Sequence, residues 1–369
     1  MNVSTAGLPL RAARAVLDAP QRAAAWFRRS GIRRATGVAP VLGFGGVLDG
    51  ERLIHGGAVK LLSLRDNFAS CEDAFNLLYL VSSSQPEFAE DMASICRRRG
   101  IPLVWNQNGV GYPGWAGNDA ERHNAPMRRL RAQASFVVYQ SEFCRSCADQ
   151  FLGPCDVPFE VLLNPVDLDK FRPSDAAASF EPVRLLAMGT QNYRERAMVA
   201  LACVQALRAG GIKATLTMAG PVEWKRGGEE LAAAARKMAI EDFVELRPPF
   251  RQEEAPDIYR AHHILLHPKY LDPCPTVVAE ALACGLPVVA SRSGGLPEMV
   301  GDDCGELIEV PLVWDRMVTP SGDELAQAVV RLLPRLEAAR SAARARAEQA
   351  FDARRWVERH REIFTSLPE

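Results

Sequence analysis

Two carboxylates, Asp272 and Glu280, bracket the turn Asp272-Pro273-Cys274-Pro275-Thr276 and the apolar residues that follow it. Proline fixes φ and cannot continue a ladder, so the stretch reads as a turn, with Thr276 as the N-cap of a helix over 276–285. The free amides and positive dipole end at such a helix start suit a phosphate or a sugar hydroxyl, and Glu280 sits one turn further in. Pro287-Val288-Val289-Ala290-Ser291 then reads as a buried parallel strand, and Gly294-Gly295 is expected to let the backbone approach a ligand closely. Ligands in open α/β sheets sit at such strand ends. This is the chemistry of a site for an activated sugar.

A second polar stretch stands earlier, at Trp105-Asn106-Gln107-Asn108-Gly109-Val110-Gly111-Tyr112-Pro113-Gly114-Trp115. Side-chain amides exchange hydrogen bonds with sugar hydroxyls in both directions, and Tyr112 and Trp115 offer ring faces for stacking. Asn106, Gln107, Tyr112 and Trp115 are therefore candidates for an acceptor-side wall; the alternative is a turn whose amides satisfy the backbone. His262, His263 and His267 surround a strand at 264–266, where alternation puts His263 and His267 on one face. With no cysteine or acidic pattern beside them, they read as core or surface histidines.

These groups need elements to hold them. Strands are expected at 58–64, 75–81, 102–105 and 136–140, with helices at 87–99 and 142–151; the alternation implies a doubly wound parallel sheet. The glycines between 38 and 57 read as turns, because the expected strand at 58–64 leaves no helix to complete a phosphate loop. Residues 10–36 are rich in Ala and Arg, with Val16, Leu17, Trp26 and Phe27 as apolar complement. They read either as an amphipathic segment lying on anionic lipid or as a solvated or docked extension.

Composition sets bounds. The 369 residues fit two domains, 48% are hydrophobic and 24% charged, and the net charge of −1 lacks the basic surplus of a nucleic-acid binder. No run reaches a membrane span, and arginines interrupt the first apolar residues where a secretory leader would lie, so a cytoplasmic location is expected, peripheral at the inner membrane face if the basic segment binds lipid. Cys144, Cys147 and Cys155 lack a second pair or a histidine at zinc spacing, so the nine cysteines read as free thiols and no metal site is expected.

The block from Asp272 to Glu298 resembles the donor-site signature of retaining glycosyltransferases of family four, with Glu-Ala, Cys-Gly-Leu-Pro-Val-Val and Gly-Gly-Leu-Pro-Glu in order. Asn164-Pro165-Val166-Asp167, Leu185-Leu186-Ala187-Met188-Gly189, Thr215-Leu216-Thr217-Met218-Ala219-Gly220, and Phe351 with Trp356 and Phe364 follow the family's order too. The resemblance implies a GT-B fold: an extension over 1–38, an N-terminal Rossmann-like acceptor domain over 39–175, a donor domain over 176–345, and a last helix over 346–369 crossing back. It implies retaining transfer of a hexosyl group from a nucleotide-diphosphate sugar to a glycan or lipid-linked glycan, as in polysaccharide biosynthesis, without a required cofactor or metal.

Roles carried over residue by residue give Asp272 the sugar and Glu280 the ribose hydroxyls. The diphosphate falls to Arg196 first and Arg194 second, beside Gly189 and Thr190, with the amides of Cys274, Thr276 and Val277 at the helix start. Arginine can grip phosphate bidentately. Asn108 stands where the family has a histidine near the transferred sugar, Thr190 where it has an arginine, and Pro275 where it has glycine. Those departures keep two alternatives open, a weakened sugar-nucleotide binding protein and a sugar-nucleotide epimerase.

Overall fold

The computed structural model describes residues 31–45, 57–174 and 179–368. The basic segment over 10–36 lies outside the described residues up to position 30, as do the glycines at 46, 50 and 56. Two six-stranded parallel sheets dominate. In the first, strands run in the order β3 (Ala69–Ser70), β2 (Val41–Gly43), β5 (Leu77–Val81), β6 (Leu103–Gln107), β7 (Phe136–Tyr139), β8 (Phe159–Val161). A short pair, β1 (Arg33–Arg34) with β4 (Ala74–Phe75), flanks it. In the second the order is β11 (Val244–Arg247), β10 (Ala214–Ala219), β9 (Val183–Met188), β12 (Ile264–His267), β13 (Val288–Arg292), β14 (Gly305–Glu309). The strand order reverses between β9 and β12, which opens a crevice at their carboxyl ends.

Each sheet is apolar on both faces, as covered parallel sheets require. Along β9, Val183, Leu185 and Ala187 join the core under the helix Arg194–Ala209, while Leu186 and Met188 turn to the opposite core with Val278 and Leu282 of the helix Thr276–Ala283. Along β5, Leu78 and Leu80 face one way and Leu77, Tyr79 and Val81 the other. The latter face is covered by the last helix, Ala353–Ser366, whose Trp356, Val357, Ile363 and Phe364 pack onto the N-terminal sheet. Burying four such side chains, each worth about 1.5–3 kcal/mol, is enough to hold this helix across the two domains.

One element departs from expectation. Residues 57–67 form a helix, Gly57–Asn67, and not a strand. The apolar run fits either period; the side chains that bury are Lys60, Leu61 and Leu64, at helical spacing. A strand, a glycine-rich connection and a helix thus do follow one another here, although residues 46–56 of the connection are outside the described ones.

Candidate active site between the two sheets

The crevice of the C-terminal sheet gathers the expected donor residues. Gly189 follows β9 with φ +96°, and a side chain there would meet Val277 of the facing helix at 3.5 Å. That helix begins at Thr276 with Pro275, not Thr276, at the N-cap, since proline's fixed φ suits the position just outside the first turn. No side chain caps it, so the amides of Thr276 and Val277 have no intrahelical partner. Cys274 is buried, its carbonyl accepting from Asn164 Nδ2 at 2.6 Å, and burial pushes its thiol up to about 12.

Arg196 is buried at the start of its helix and donates to the Thr190 carbonyl and, at 3.4 Å, to Gln191 Oε1. Among the described residues no carboxylate forms an ion pair with it. Burial lowers its pKa, and the nearby Asp272 charge opposes that shift. With His267, Arg196 lines a small cavity of about 10 Å³, room for about one water. Arg194, by contrast, is half exposed and paired with Glu230; the structure does not bring it to the crevice.

Asp272 is buried, and Lys269 Nζ lies 2.8 Å and His267 Nε2 3.4 Å from its Oδ2. Burial alone would raise its pKa, but Lys269 and His267 outweigh that and hold the carboxyl well below its ordinary value. Glu280 is also buried; its Oε1 accepts from Gln252 Nε2 at 2.7 Å and its Oε2 from Tyr259 Oη at 2.8 Å. Burial raises its pKa against the pull of these two donors. Its side chain is thus fixed in direction, with lone pairs left over for hydroxyls.

Gly294 and Gly295 serve a purpose other than the expected one. A Cβ at Gly294 would lie 2.3 Å from the Asp272 carbonyl oxygen, and one at Gly295 would lie 2.0 Å from that of Pro273. The close approach they permit is therefore to the backbone that carries Asp272.

The N-terminal side is rearranged relative to expectation. Asn106 and Gln107 are fully buried and satisfied internally: Asn106 Nδ2 donates to Tyr79 Oη at 2.9 Å, and Gln107 bonds Trp105 Nε1 at 2.8 Å and the Gly109 carbonyl at 2.9 Å. They stiffen the wall from behind, because amides on a buried strand must find partners inside. Tyr112 is buried against Trp314 and Phe151, and Trp115 is 47% exposed beside His123. Asn108 does reach the domain boundary, where a Cβ added at neighbouring Gly109 would meet the Pro273 ring at 3.7 Å.

Sequence reasoning missed four contributors. Lys60 was placed on a strand; its Nζ donates to Asn106 Oδ1 at 2.8 Å and Asn108 Oδ1 at 2.7 Å. His267 and Lys269 hold Asp272, and only their short spacing from it in the chain signals this. Glu298, the last acid of the donor motif, reaches across to the N-terminal domain and accepts from the amides of Glu142 and Phe143.

Comparison with known proteins fits this geometry. Residues 182–335 match the family model of glycosyl transferases group 1. A D-inositol 3-phosphate glycosyltransferase of Streptomyces bingchenggensis is 42% identical over 74 residues, 20% of this chain and 16% of the relative. Its counterpart in a Mycobacterium species is 33% identical over 150 residues, 37% of this chain and 32% of the relative. The matches thus span a third or less of these relatives' length. The crystal structure of Anabaena Alr3699/HepE in complex with UDP and glucose superposes with a TM-score of 0.68 at 17% identity, covering 89% of this chain and 100% of that one. That likeness shows the fold: two Rossmann-like domains in the GT-B arrangement.

Proposed function

We propose that this chain, whose residues 182–335 match the family model of glycosyl transferases group 1, moves a hexosyl group from a nucleotide-diphosphate sugar to a hydroxyl-bearing acceptor. One observation carries the reading: Arg196 is a buried cation that forms no ion pair among the described residues and feels only the longer-range charge of Asp272, and it follows Gly189, which faces the uncapped helix start at Val277. A buried charge of that kind costs free energy unless an anion completes it, and a diphosphate matches both the guanidinium and the free amides.

In this account the diphosphate lies between Arg196 and the amides of Thr276 and Val277. Glu280 takes the ribose hydroxyls and Asp272 orients the sugar. As the bond to the sugar breaks, charge grows on the leaving phosphate, where preorganised donors lower the barrier. Neutralisation by protein groups, without a metal, and retention at the anomeric carbon are part of the proposal. The second domain closes over the donor and excludes water. The relatives' printed activities and the UDP and glucose bound by the HepE structure support a sugar nucleotide as donor. A glycan or lipid-linked glycan as acceptor rests on the family resemblance. Peripheral contact with the inner membrane face rests on the arginine-rich sequence near the N-terminus; no described helix is long and apolar enough to cross a membrane.

The test is donor affinity. Calorimetric titration with UDP-glucose, GDP-mannose and ADP-glucose should find one that binds, and Arg196→Met should weaken it by about ten- to a hundredfold, the worth of a charge-assisted hydrogen bond pair. Undiminished affinity would remove Arg196 from the site.

A further inference from the structure

Lys60 is 3% exposed, and among the described residues no carboxylate lies within ion-pair distance of it. Its Nζ instead donates to three side-chain amide oxygens, those of Asn106 at 2.8 Å, Asn108 at 2.7 Å and Gln140 at 3.4 Å. Asn108 and Gln140 follow the adjacent strands β6 and β7, so both stand at the carboxyl ends that line the interdomain crevice. An ammonium has donors only, which settles how each amide must lie: oxygen toward Lys60, amino group away. For Asn108 the amino group then meets the hydroxyl of Ser83, an exposed residue beyond the end of β5.

The same logic fixes a longer chain of bonds. His360 Nδ1 lies 2.8 Å from the Trp356 carbonyl, which can only accept, so Nδ1 carries the proton and Nε2 is an acceptor. Tyr79 Oη, 2.9 Å away, therefore donates to Nε2, and accepts in turn from Asn106 Nδ2 at 2.9 Å. Asn106 Oδ1 is left facing Lys60. Every donor and acceptor from the last helix to Asn108 has one consistent direction. Burial keeps His360 neutral, its pKa held down to about 3, so the direction does not reverse in the neutral range.

We propose that Lys60 is a positioning residue for the transfer reaction: it locks the Asn108 carboxamide with its oxygen inward and its N–H groups toward the crevice, and the Tyr79–His360 chain holds Lys60's own network in register. The inference rests on the glycosyl-transfer reading above. Asn108 is the group that touches substrate, and Lys60 acts through it. The asparagine that replaces the family's histidine thereby gains the fixed donor orientation that a free amide, which rotates readily, would lack.

The test is a double-mutant cycle on the intact chain, with turnover of the nucleotide sugar that binds wild type among UDP-glucose, GDP-mannose and ADP-glucose, read as release of the nucleoside diphosphate. Lys60→Met should lower kcat by about ten- to a hundredfold with donor Kd unchanged, and Lys60→Met with Asn108→Ala should be no slower than Asn108→Ala alone. Neutron diffraction from crystals of Lys60→Met should show the Asn108 carboxamide in more than one orientation. Should that variant not fold, Tyr79→Phe removes a single hydroxyl from the same chain and should give a smaller fall with the same lack of additivity. Additive losses, an unchanged kcat, or a single unaltered Asn108 orientation would overturn the proposal. Loss of donor binding in Arg196→Met alongside any of these would leave the donor site standing, so the two readings fail separately.

Discussion

Glu298 of the C-terminal domain caps a helix of the N-terminal domain, its Oε2 accepting from the Glu142 amide at 2.7 Å and its Oε1 from the Phe143 amide at 2.8 Å. Ser141 Oγ takes the next amide, that of Cys144, at 2.9 Å, so the first turn of Glu142–Leu152 is satisfied jointly by both domains. A carboxylate at a helix start is favoured by the free N–H groups and by the dipole. The two domains are therefore joined by a specific polar latch as well as by apolar contact.

Removing that latch should favour opening. Glu298→Ala should shift the equilibrium between closed and open forms by about five- to tenfold, from a cap worth about 1 kcal/mol. Small-angle scattering in the presence of bound nucleotide sugar should give a larger radius of gyration than wild type, with a matching fall in kcat. An unchanged radius would mean that the apolar contacts suffice.

Asp272 makes a prediction about acid stability. Its folded pKa is depressed below the unfolded value, so its contribution is fully present above the unfolded pKa and is lost only as pH falls through the folded one. Replacing Lys269 by Met removes the largest influence that opposes burial and leaves His267 alone against it, so the carboxyl moves up. The pH at which melting temperature begins to fall should then move upward, as measured by thermal unfolding across the acid range. Coincident curves for the two proteins would show that Lys269 does not hold Asp272 ionised.

Gly294 and Gly301 separate two costs of adding a side chain. Both have positive φ, +67° and +66°, but a Cβ at Gly294 would run into the Asp272 backbone, while one at Gly301 would meet nothing within 4 Å. Gly301→Ala should lose about 1–3 kcal/mol, the backbone cost alone of a φ/ψ region that is essentially glycine's (φ 66°, ψ −174°). Gly294→Ala should lose more than that and also reduce donor affinity, because Asp272 must shift. Equal denaturant midpoints for the two variants would contradict the close packing.

Much of the C-terminal half was legible because its signals are local. Buried parallel strands such as Val288–Arg292 are continuous apolar runs, and the turn, helix and glycines between Asp272 and Glu298 follow one another in the chain. Lys60 shows the opposite case. Its partners lie 46, 48 and 80 residues away, and lysine is a surface residue by default, so nothing near it announces a buried network. The strand expected at 58–64 hides it further, since Ala58-Val59-Lys60-Leu61-Leu62 satisfies two periods and only the packed sheet chooses the helix Gly57–Asn67. Gly294 and Gly295 were recognised as sites of close approach, but what approaches them is another segment of the same chain. That distinction is tertiary.

The proposed place of Glu280 in the donor pocket is checked by the variant Glu280→Gln. Burial raises the pKa of Glu280, so its charged form costs stability as pH rises above the ordinary carboxylate range; the neutral amide should leave the melting temperature equal or higher at pH 7 while still facing Gln252 and Tyr259. The measurement is the thermal shift produced by the nucleotide sugar that binds wild type. Glu280→Gln should fold as well as wild type and lose most of that shift; a full shift in the variant would remove Glu280 from the donor pocket.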